Sequence, residues 1–261
     1  MTAAALPYAG IRVLELGQGL AAPYCGMLLA QWGADVIKVE PAEGDWLRHI
    51  GAAHGPHSAL SIAANRGKRS LVADLKQREA AAAVRRIALR CDVVIESFRP
   101  GVVARLGLGY EDLAGDHPEL IYLSVSGFGQ RGSHAQLAGS DTVLQAFSGM
   151  MDVNADESGV PRRVGFLAVD TIAGLYAFQA VAAALHGRLA GQGGRHLDVS
   201  LMQSTAAALA PRIVGASLRE RPAPMAFEAA ALHRAMGEMA ARQTLHQVTG
   251  AVHAAGWAAR R

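Results

Sequence analysis

Short apolar runs alternate along this chain with stretches of helical length. Residues 11–16 (IRVLEL) form a β-rich run that ends at a glycine-containing turn, an apolar segment covers residues 23–32, and DVIKVE at residues 35–40 is a second run. Pro23 suits the first turn of a helix and Gly33 suits its end. The pattern therefore predicts a β-α-β unit.

The same alternation continues beyond this unit. Residues 70–75, 92–97 and 119–127 are predicted strands, residues 77–90 form a predicted helix, and a shorter helical piece lies near residues 110–113. Strands that alternate with helices indicate a parallel sheet with helices on both faces. We therefore predict an α/β fold, a Rossmann-like and mostly parallel sheet flanked by helices.

The C-terminal third begins with a long predicted helix at residues 170–186, and a strand at 196–201 and an alanine-rich helix to about residue 216 follow. One stripe of the long helix is expected to face the core: Leu175, Phe178, Val181 and Leu185. Two glycine-rich polar segments, residues 126–139 and 152–168, are predicted loops. The tail at residues 226–261 is alanine-rich and is predicted to be helical.

Composition narrows the class of protein. With 261 residues, 51% hydrophobic and 18% charged, the chain is globular and holds one large domain or one domain with a fragment, which excludes fibrous and low-complexity classes. The net charge is +3 and the basic residues are dispersed, so a small polyanion suffices as ligand and neither nucleic acid nor membrane is expected. Two cysteines without metal-ligand spacing and an N-terminus without a basic region favour the cytoplasm.

A dinucleotide-type fingerprint lies in the first crossover. Gly17, Gly19 and Ala22 form GxGxxA between the first strand and helix, and Glu40 ends the second strand. In NAD-binding proteins such glycines admit a pyrophosphate and the acid binds ribose hydroxyls. Any tight crossover selects small residues, however, and no set of residues for hydride transfer accompanies the motif. NAD-dependent oxidoreduction is therefore kept as the less favoured alternative.

Basic residues occur in two further segments. Arg66, Lys68 and Arg69 precede a strand, where they could hold phosphates, although their spacing fits a solvated loop better. Phe98 could stack on a base while Arg99 and Arg105 meet anions. Spacing alone does not decide between these interpretations.

Two aspartates begin predicted helices. Asp170 opens the long apolar helix, where it can be an N-cap, a carboxylate nucleophile whose pKa the helix dipole lowers, or both. Asp141, preceded by Ser140, begins another helix and is a weaker candidate for a supporting role. The histidines show neither catalytic-triad nor metal-ligand spacing, and His49, His54, His57 and His134 are expected at the surface.

Together these segments resemble one enzyme family. GIRVLELGQGLAAPYCGMLLAQWGADVIKVE, NRGKRSLVADLK, DVVIESFRPGVVARLGLGY, ELIYLSVSGFGQRG and AVDTIAGLYA, in this order, are similar to family III CoA-transferases of the CaiB/BaiF type. The group includes formyl-CoA transferase, carnitine CoA-transferase and the α-methylacyl-CoA racemases. The resemblance implies that Asp170 attacks an acyl-CoA thioester, gives an aspartyl-acyl anhydride and then an aspartyl-CoA thioester, and passes CoA to a second carboxylic acid.

The resemblance also implies where CoA is held. Residues at family positions that contact CoA are Leu20, Ala21, Ala73, Asp74, Leu75, Lys76, Ser97, Phe98, Arg99 and Arg105. CoA is a substrate in this family, so no permanently bound cofactor and no metal are expected. The implied partners are an acyl-CoA, a small carboxylic acid and a second copy of the chain in a homodimer.

Two departures from the family pattern matter. The racemases carry a histidine where this chain has Ser140, which disfavours racemisation. Family members are also longer, and the resemblance stops near residue 213. We therefore expect a large Rossmann-like domain at residues 1–213 and a divergent or truncated helical tail at residues 214–261. A catalytically silent CoA-binding homologue that acts as an interaction module is the main alternative.

Overall fold

A computed structural model describes residues 6–218 of the chain, which divide into two compact units. The first unit contains the described residues up to Ser126 together with Ala173–Val199, and the second contains Gly127–Ile172 and the described residues from Ser200 onward. The strands are β1 (Arg12–Glu15), β2 (Asp35–Glu40), β3 (Ala53–His54), β4 (His57–Ser58), β5 (Arg69–Val72), β6 (Val93–Glu96), β7 (Ile121–Ser126) and β8 (Arg195–Ser200). The α-helices are α1 (Ala21–Gln31), α2 (Ala59–Asn65), α3 (Arg78–Ala88), α4 (Val102–Arg105), α5 (Tyr110–Ala114), α6 (Asp141–Phe147), α7 (Met150–Val153), α8 (Ala168–Leu189), α9 (Leu201–Ala208) and α10 (Ala210–Ser217).

The first unit is built on a six-stranded sheet in the order β5-β2-β1-β6-β7-β8. The pairs β5–β2, β2–β1, β1–β6 and β6–β7 are all parallel, with Val13 opposite both Val36 and Val93. This confirms the predicted Rossmann-like α/β fold. Because β2 lies on one side of β1 and β6 on the other, the strand order reverses at β1, and the segments after β1 and β6 leave the sheet side by side.

The central strands are apolar along their length because helices cover both faces of a parallel sheet. Val13, Leu14, Val93 and Val94 are fully buried. Tyr122 on β7 is also buried, and its hydroxyl donates a 2.9 Å hydrogen bond to the carbonyl oxygen of Leu108. The apolar runs in the sequence were therefore sufficient to locate these strands.

Helix α8 packs through small residues. Its buried residues include Ala173, Ala177, Val181, Ala184 and Leu185. A Cβ on Gly174 would come within 2.8 Å of the carbonyl oxygen of Ala21, so glycine is required where α8 approaches α1. The predicted stripe was wrong for Leu175, which is 48% exposed. The length and hydropathy of α8 would also suit a membrane span, but its alanine face is buried as in a core helix.

The second unit contains α6, α7, α9, α10 and long connecting loops. Helices α6 and α9 contact each other. The rings of Phe128 and Phe147 pack edge to face, with their centroids 5.2 Å apart. The His134 ring lies 5.7 Å from each of these rings, so it is half-buried rather than at the surface as expected. The aromatic contacts account for this difference.

Several elements were absent from the sequence-based prediction. They are the 3₁₀ turn Trp46–His49, the hairpin of β3 and β4, and helices α2, α4 and α7, the last of which ends inside the predicted loop at 152–168. The single helix expected to reach residue 216 is two helices, α9 and α10, and Pro211 lies in the first turn of α10. The predicted helical tail at residues 226–261 lies outside the described residues.

Candidate functional site

Buried charges hold the turn between β1 and α1. The Lys38 ammonium, 1% exposed, donates to the carbonyl oxygen of Gly17 at 2.6 Å and pairs with carboxylate oxygens of Glu15 at 3.0 Å and Asp45 at 2.9 Å. The Gly19 N–H in turn donates to Asp45 Oδ1 at 3.1 Å, and Gly19 has φ +81°, a conformation that favours glycine. The turn is therefore fixed by the chain's own side chains.

The same contacts bear on the dinucleotide fingerprint. The Gly19 N–H already has a carboxylate partner in Asp45. Glu40 accepts from Arg48 Nε and Nη2, both at 2.7 Å, and from the Asp45 N–H at 2.9 Å. Burial alone would raise the pKa of Glu40, but these hydrogen bonds lower it below its usual value. Neither the glycine turn nor the acid is free for a pyrophosphate or a ribose, so the motif reflects a tight crossover.

The cations at residues 66–69 do not converge on a common site. The Lys68 ammonium is buried and contacts Glu15 Oε2 at 2.8 Å and the carbonyl oxygen of Pro23 at 2.7 Å. Burial lowers its pKa to about 8. Arg69 pairs with Asp35 at 2.6 Å, and Arg66 donates to a backbone carbonyl at 2.9 Å. The structure therefore does not bring the three cations together for a phosphate, and the burial of Lys68 also departs from the solvated loop that the spacing favoured.

The predicted CoA positions of the first crossover meet the segment after β6. Leu20 and Ala21 are 8% and 6% exposed. Ser97 Oγ accepts from the Gln18 N–H at 3.0 Å, which joins the loop after β6 to the turn. Phe98 packs against the hydrophobic core, so its ring is less open for base stacking than the sequence suggested, whereas Arg99 is exposed.

Glu96 lies directly before this loop and is 2% exposed. It accepts a 2.8 Å hydrogen bond from the Phe98 N–H. Burial raises the pKa of Glu96 to about 7, although hydrogen bonds from Ser124 and Phe98 oppose the shift. The carboxyl therefore fixes the start of the Ser97–Arg99 loop.

A basic cavity of about 430 Å³ gathers three of the predicted CoA positions, and it is lined by Leu75, Lys76, Arg78, Ala81, Ala82, Arg85, Arg105, Leu106, Gly107 and Asp112. The Arg85 guanidinium is engaged by Asp116 at 2.7 Å. Within residues 6–218 the side chains of Lys76, Arg78 and Arg105 have no carboxylate partner. The cavity can therefore accept a polyanion.

Ala73 and Asp74, two further predicted CoA positions, precede Leu75 and Lys76 in the chain but do not line the cavity. The Ala73 N–H donates to the carbonyl oxygen of Glu40 at 2.9 Å, and Asp74 Oδ1 accepts from the Lys76 N–H at 3.0 Å. The sequence analysis did not identify Arg78 and Arg85 as residues that line the cavity. A basic residue on an amphipathic helix looks the same in the sequence whether it lines a cavity or faces solvent.

In the second unit two carboxyl groups lie together where α8 begins. Asp170 is the third residue of α8 and is partly exposed. Asp141, 3% exposed, accepts a hydrogen bond from the Asp170 N–H on its Oδ2 at 3.1 Å. The predicted N-cap role of Asp170 was therefore wrong, because Asp141 accepts from the first turn of the helix and leaves the Asp170 carboxyl free of that duty.

The electrostatics of the pair also differ from the expectation. Burial, and then the charge of Asp141, raise the pKa of Asp170 to about 7. The helix dipole was expected to lower this pKa, but desolvation and a neighbouring like charge outweigh it. Burial raises the pKa of Asp141 as well, although the Asp170 N–H, Gln145 and Arg163 favour its ionised form.

Among the described residues no group of three or more His, Cys, Asp or Glu side chains could hold a metal ion. The described residues instead offer the carboxyl groups of Asp141 and Asp170 and a basic cavity that suits a polyanion. A sequence model described as CoA-transferase family III matches residues 8–241. The chain belongs to this family.

Several curated members of CoA-transferase family III are similar to the chain. A succinate–glutarate CoA-transferase from Agrobacterium fabrum is 43% identical over 225 residues, 83% of this chain and 56% of that protein. An acetyl-CoA:oxalate CoA-transferase from Acetobacter aceti is 40% identical over 205 residues, 78% of this chain and 53% of that protein. The chain spans about half the length of the curated relatives it matches.

Solved structures agree with the family assignment. A CAIB/BAIF family protein from Brucella suis has a TM-score of 0.80 and 36% identity, with 84% of this chain and 60% of that chain covered. Rv3272 from Mycobacterium tuberculosis has a TM-score of 0.76 and 35% identity over the same shares. The α/β architecture described above is therefore that of family III.

Proposed function

We propose that the chain transfers CoA from an acyl-CoA to a carboxylic acid acceptor with Asp170 as nucleophile. The observation that carries the proposal is the partly exposed Asp170 carboxyl at the start of α8. Asp141, not Asp170, accepts a hydrogen bond from the first turn of this helix, so the Asp170 carboxyl is not used as a cap. Membership of CoA-transferase family III supports CoA transfer as the reaction class. Relatives named for succinate, glutarate and oxalate support a short dicarboxylate as one of the two acids.

The reaction conserves the energy of the thioester. An Asp170 oxygen attacks the thioester carbonyl carbon, the carbon–sulfur bond breaks, and CoA leaves as a thiolate with an aspartyl-acyl anhydride behind it. The thiolate then attacks the Asp170 carbonyl carbon, which releases the donor acid and gives an aspartyl-CoA thioester. The acceptor carboxylate attacks this thioester, and the released thiolate attacks the acceptor's carbonyl in the new anhydride. Acceptor acyl-CoA and free Asp170 result.

A carboxylate suits this sequence better than a hydroxyl or thiol nucleophile. An ester of serine would lose the activation of the acyl group, whereas an anhydride and a thioester both retain it. Partial burial leaves the Asp170 carboxylate weakly solvated, and this favours attack on an electrophilic carbon. The raised pKa of about 7 still leaves a large ionised fraction at neutral pH.

The polyanionic end of CoA is assigned to the basic cavity. Lys76, Arg78 and Arg105 line it and supply cations for phosphate groups. Acyl-CoA is a substrate here and no permanently bound cofactor is proposed. We further propose that the chain has a large domain at residues 1–213 and a tail at 214–261. We also propose that it forms a homodimer and is cytoplasmic.

The decisive experiment compares the wild type with Asp170→Asn. We expect the wild type to move CoA from an acyl-CoA to an added dicarboxylate, measured by chromatography of the CoA esters, and the variant to lose more than about a thousandfold in rate. Asp152→Asn, at an exposed aspartate of the same unit, is the matched control and keeps the wild-type rate.

A second measurement identifies the nucleophile. Hydroxylamine added during turnover attacks the activated Asp170 carbonyl and leaves a hydroxamate, which mass spectrometry locates on the peptide that contains Asp170. Absence of exchange in the wild type would instead favour the silent CoA-binding homologue, and exchange undiminished in Asp170→Asn would remove Asp170 from the mechanism.

A further inference from the structure

Gln145 lies fully buried on α6 in the second unit, with 0% exposure. Its Nε2 donates to Asp141 Oδ1 at 2.6 Å and to the carbonyl oxygen of Phe166 at 3.3 Å. Its Oε1 accepts from the Val164 N–H at 2.8 Å. One side-chain amide thus joins α6 to the segment that precedes α8.

The orientation of this amide follows from its partners. A carboxylate and a carbonyl oxygen face one end, and both only accept hydrogen bonds, while the N–H of Val164 faces the other end. The opposite orientation would bring oxygen against oxygen twice and hydrogen against hydrogen once. Asp141 Oδ1 therefore receives a hydrogen bond from Gln145, and Oδ2 remains for the Asp170 N–H at 3.1 Å.

The contacts form a continuous chain that ends at Asp170. Val164 and Phe166 set the path of the backbone into α8, Gln145 binds both of them, and Asp141 connects Gln145 to the Asp170 backbone. Each link is a polar contact of a buried side chain, where an unsatisfied group costs about 1–3 kcal/mol. Loss of the central amide would free the backbone around Asp170 and leave the Asp141 carboxyl without its shortest hydrogen bond.

We propose that Gln145 is a positioning residue that orients Asp141 and the Val164–Phe166 backbone so that the Asp170 carboxyl is held for attack. This inference rests on the proposed CoA transfer through Asp170. Gln145 acts through Asp141 and the backbone, so it is not a catalytic residue. Its hydrogen-bonding pattern requires one donating and one accepting end, and this requirement separates positioning from simple packing.

Two substitutions separate the amide's polarity from its volume. Gln145→Met keeps a similar volume and removes both hydrogen-bonding ends. Gln145→Glu keeps the acceptor for Val164 and can donate to Asp141 only when the new carboxyl is protonated. The matched control is Gln203→Met, at an exposed glutamine on α9 in the same unit.

We expect Gln145→Met to lower kcat at least about tenfold, with KM for acyl-CoA within about twofold of the wild type. Gln145→Glu should be most active near pH 6 and lose activity towards pH 8, whereas wild-type activity rises over this range. The charged groups near position 145 are Asp141, which Gln145 contacts directly, Arg163, which acts on Asp141, and Asp170, on which Asp141 acts. The two aspartates favour the protonated form of the new carboxyl. Gln203→Met should retain wild-type kcat and pH dependence.

A Gln145→Met variant with kcat within twofold of the wild type would overturn the inference, and so would a Gln145→Glu variant whose pH profile follows the wild type. Hydrogen exchange of residues 164–170 is followed in the same proteins and needs no turnover. Should the wild type transfer no CoA, the proposed function fails, and the positioning role of Gln145 is decided by hydrogen exchange alone. Faster hydrogen exchange of the 164–170 amides in Gln145→Met than in Gln203→Met supports the positioning role, and equal rates refute it.

Discussion

At the scale of single residues, Asp170 combines accessibility with an environment that disfavours its charge. Desolvation and the neighbouring Asp141 carboxylate together bring its pKa to about 7. A surface aspartate would be ionised at all physiological pH values but strongly hydrated. In the proposed reaction this environment lowers the ionised fraction of Asp170 at neutral pH but leaves the ionised form less solvated as a nucleophile.

This pKa predicts the pH dependence of the reaction. In the proposed reaction the attacking form is the Asp170 carboxylate, so kcat/KM should rise with pH, bend near pH 7 and fall about tenfold for each pH unit well below that point. The measurement is kcat/KM between pH 5 and 8.5 in a buffer series of constant ionic strength. A flat profile across this range would show that Asp170 is not the titrating nucleophile.

Asp141→Asn tests the cause of the shift. The charge of Asp141 raises the pKa of Asp170, so its removal should move the bend in kcat/KM to lower pH. The amide oxygen of the substituted side chain can still accept from the Asp170 N–H, which limits the loss of helix capping. A bend that stays near pH 7 would assign the shift to burial alone.

Residue roles were only partly readable from the sequence. Asp170 was identified as the candidate nucleophile, but its capping partner lies 29 positions away in the chain and no local pattern shows it. Lys38 occupies a strand position where a charged side chain usually faces solvent, yet it is 1% exposed. Such contacts arise from the packing of distant segments.

At the scale of elements, the β1–α1 turn is stabilised by a buried ion cluster. Lys38 bridges Glu15, Asp45 and the Gly17 carbonyl oxygen, and Asp45 accepts from the Gly19 N–H. The predicted CoA positions Leu20 and Ala21 follow directly. The cluster therefore determines the backbone from which these residues extend.

Removal of one partner from this cluster should be costly. Lys38→Met leaves the Asp45 carboxylate without its cation, and we expect the free energy of unfolding to fall by about 3 kcal/mol in urea titrations. The control is Arg69→Gln, which breaks an exposed ion pair with Asp35 and should cost less than about 1 kcal/mol. Equal effects of the two changes would contradict the role assigned to the cluster.

The elements that the sequence predicted well share a simple physical signal. β1, α1 and β2 were located within two residues at each end, because continuous apolar runs and the Pro23 and Gly33 positions mark their limits. The β3–β4 hairpin and α2 were missed, since strands of two residues and a helix of seven residues are too short for periodicity to emerge.

At the scale of the whole molecule, the chain carries two compact units and spans about half the length of its curated relatives. Family membership and the α/β fold follow from residues dispersed over most of the sequence. CoA binding can be measured independently of turnover, so it provides a separate test of the basic cavity.

Ligand-dependent stability should distinguish CoA from a dinucleotide. A ligand that binds only the folded state at one hundred times its Kd adds about 2.7 kcal/mol of stability, so saturating CoA should raise the melting temperature by several degrees. NAD should give no shift in melting temperature, because the Gly19 N–H is bound to Asp45 and the Glu40 carboxylate is bound to Arg48. Arg105→Gln should reduce the CoA shift, whereas a shift with NAD alone would revive the oxidoreductase alternative.

The Asp45 carboxylate occupies the backbone N–H of Gly19, the donor that a glycine fingerprint would offer to a pyrophosphate. The chain supplies its own anion to the backbone donor, from a residue 26 positions later in the sequence. A chain can therefore carry an intact GxGxxA motif whose backbone donor is not available to a dinucleotide. An aspartate that follows the second strand and reaches back to the turn is a feature to look for before a nicotinamide cofactor is assigned to any crossover of this kind.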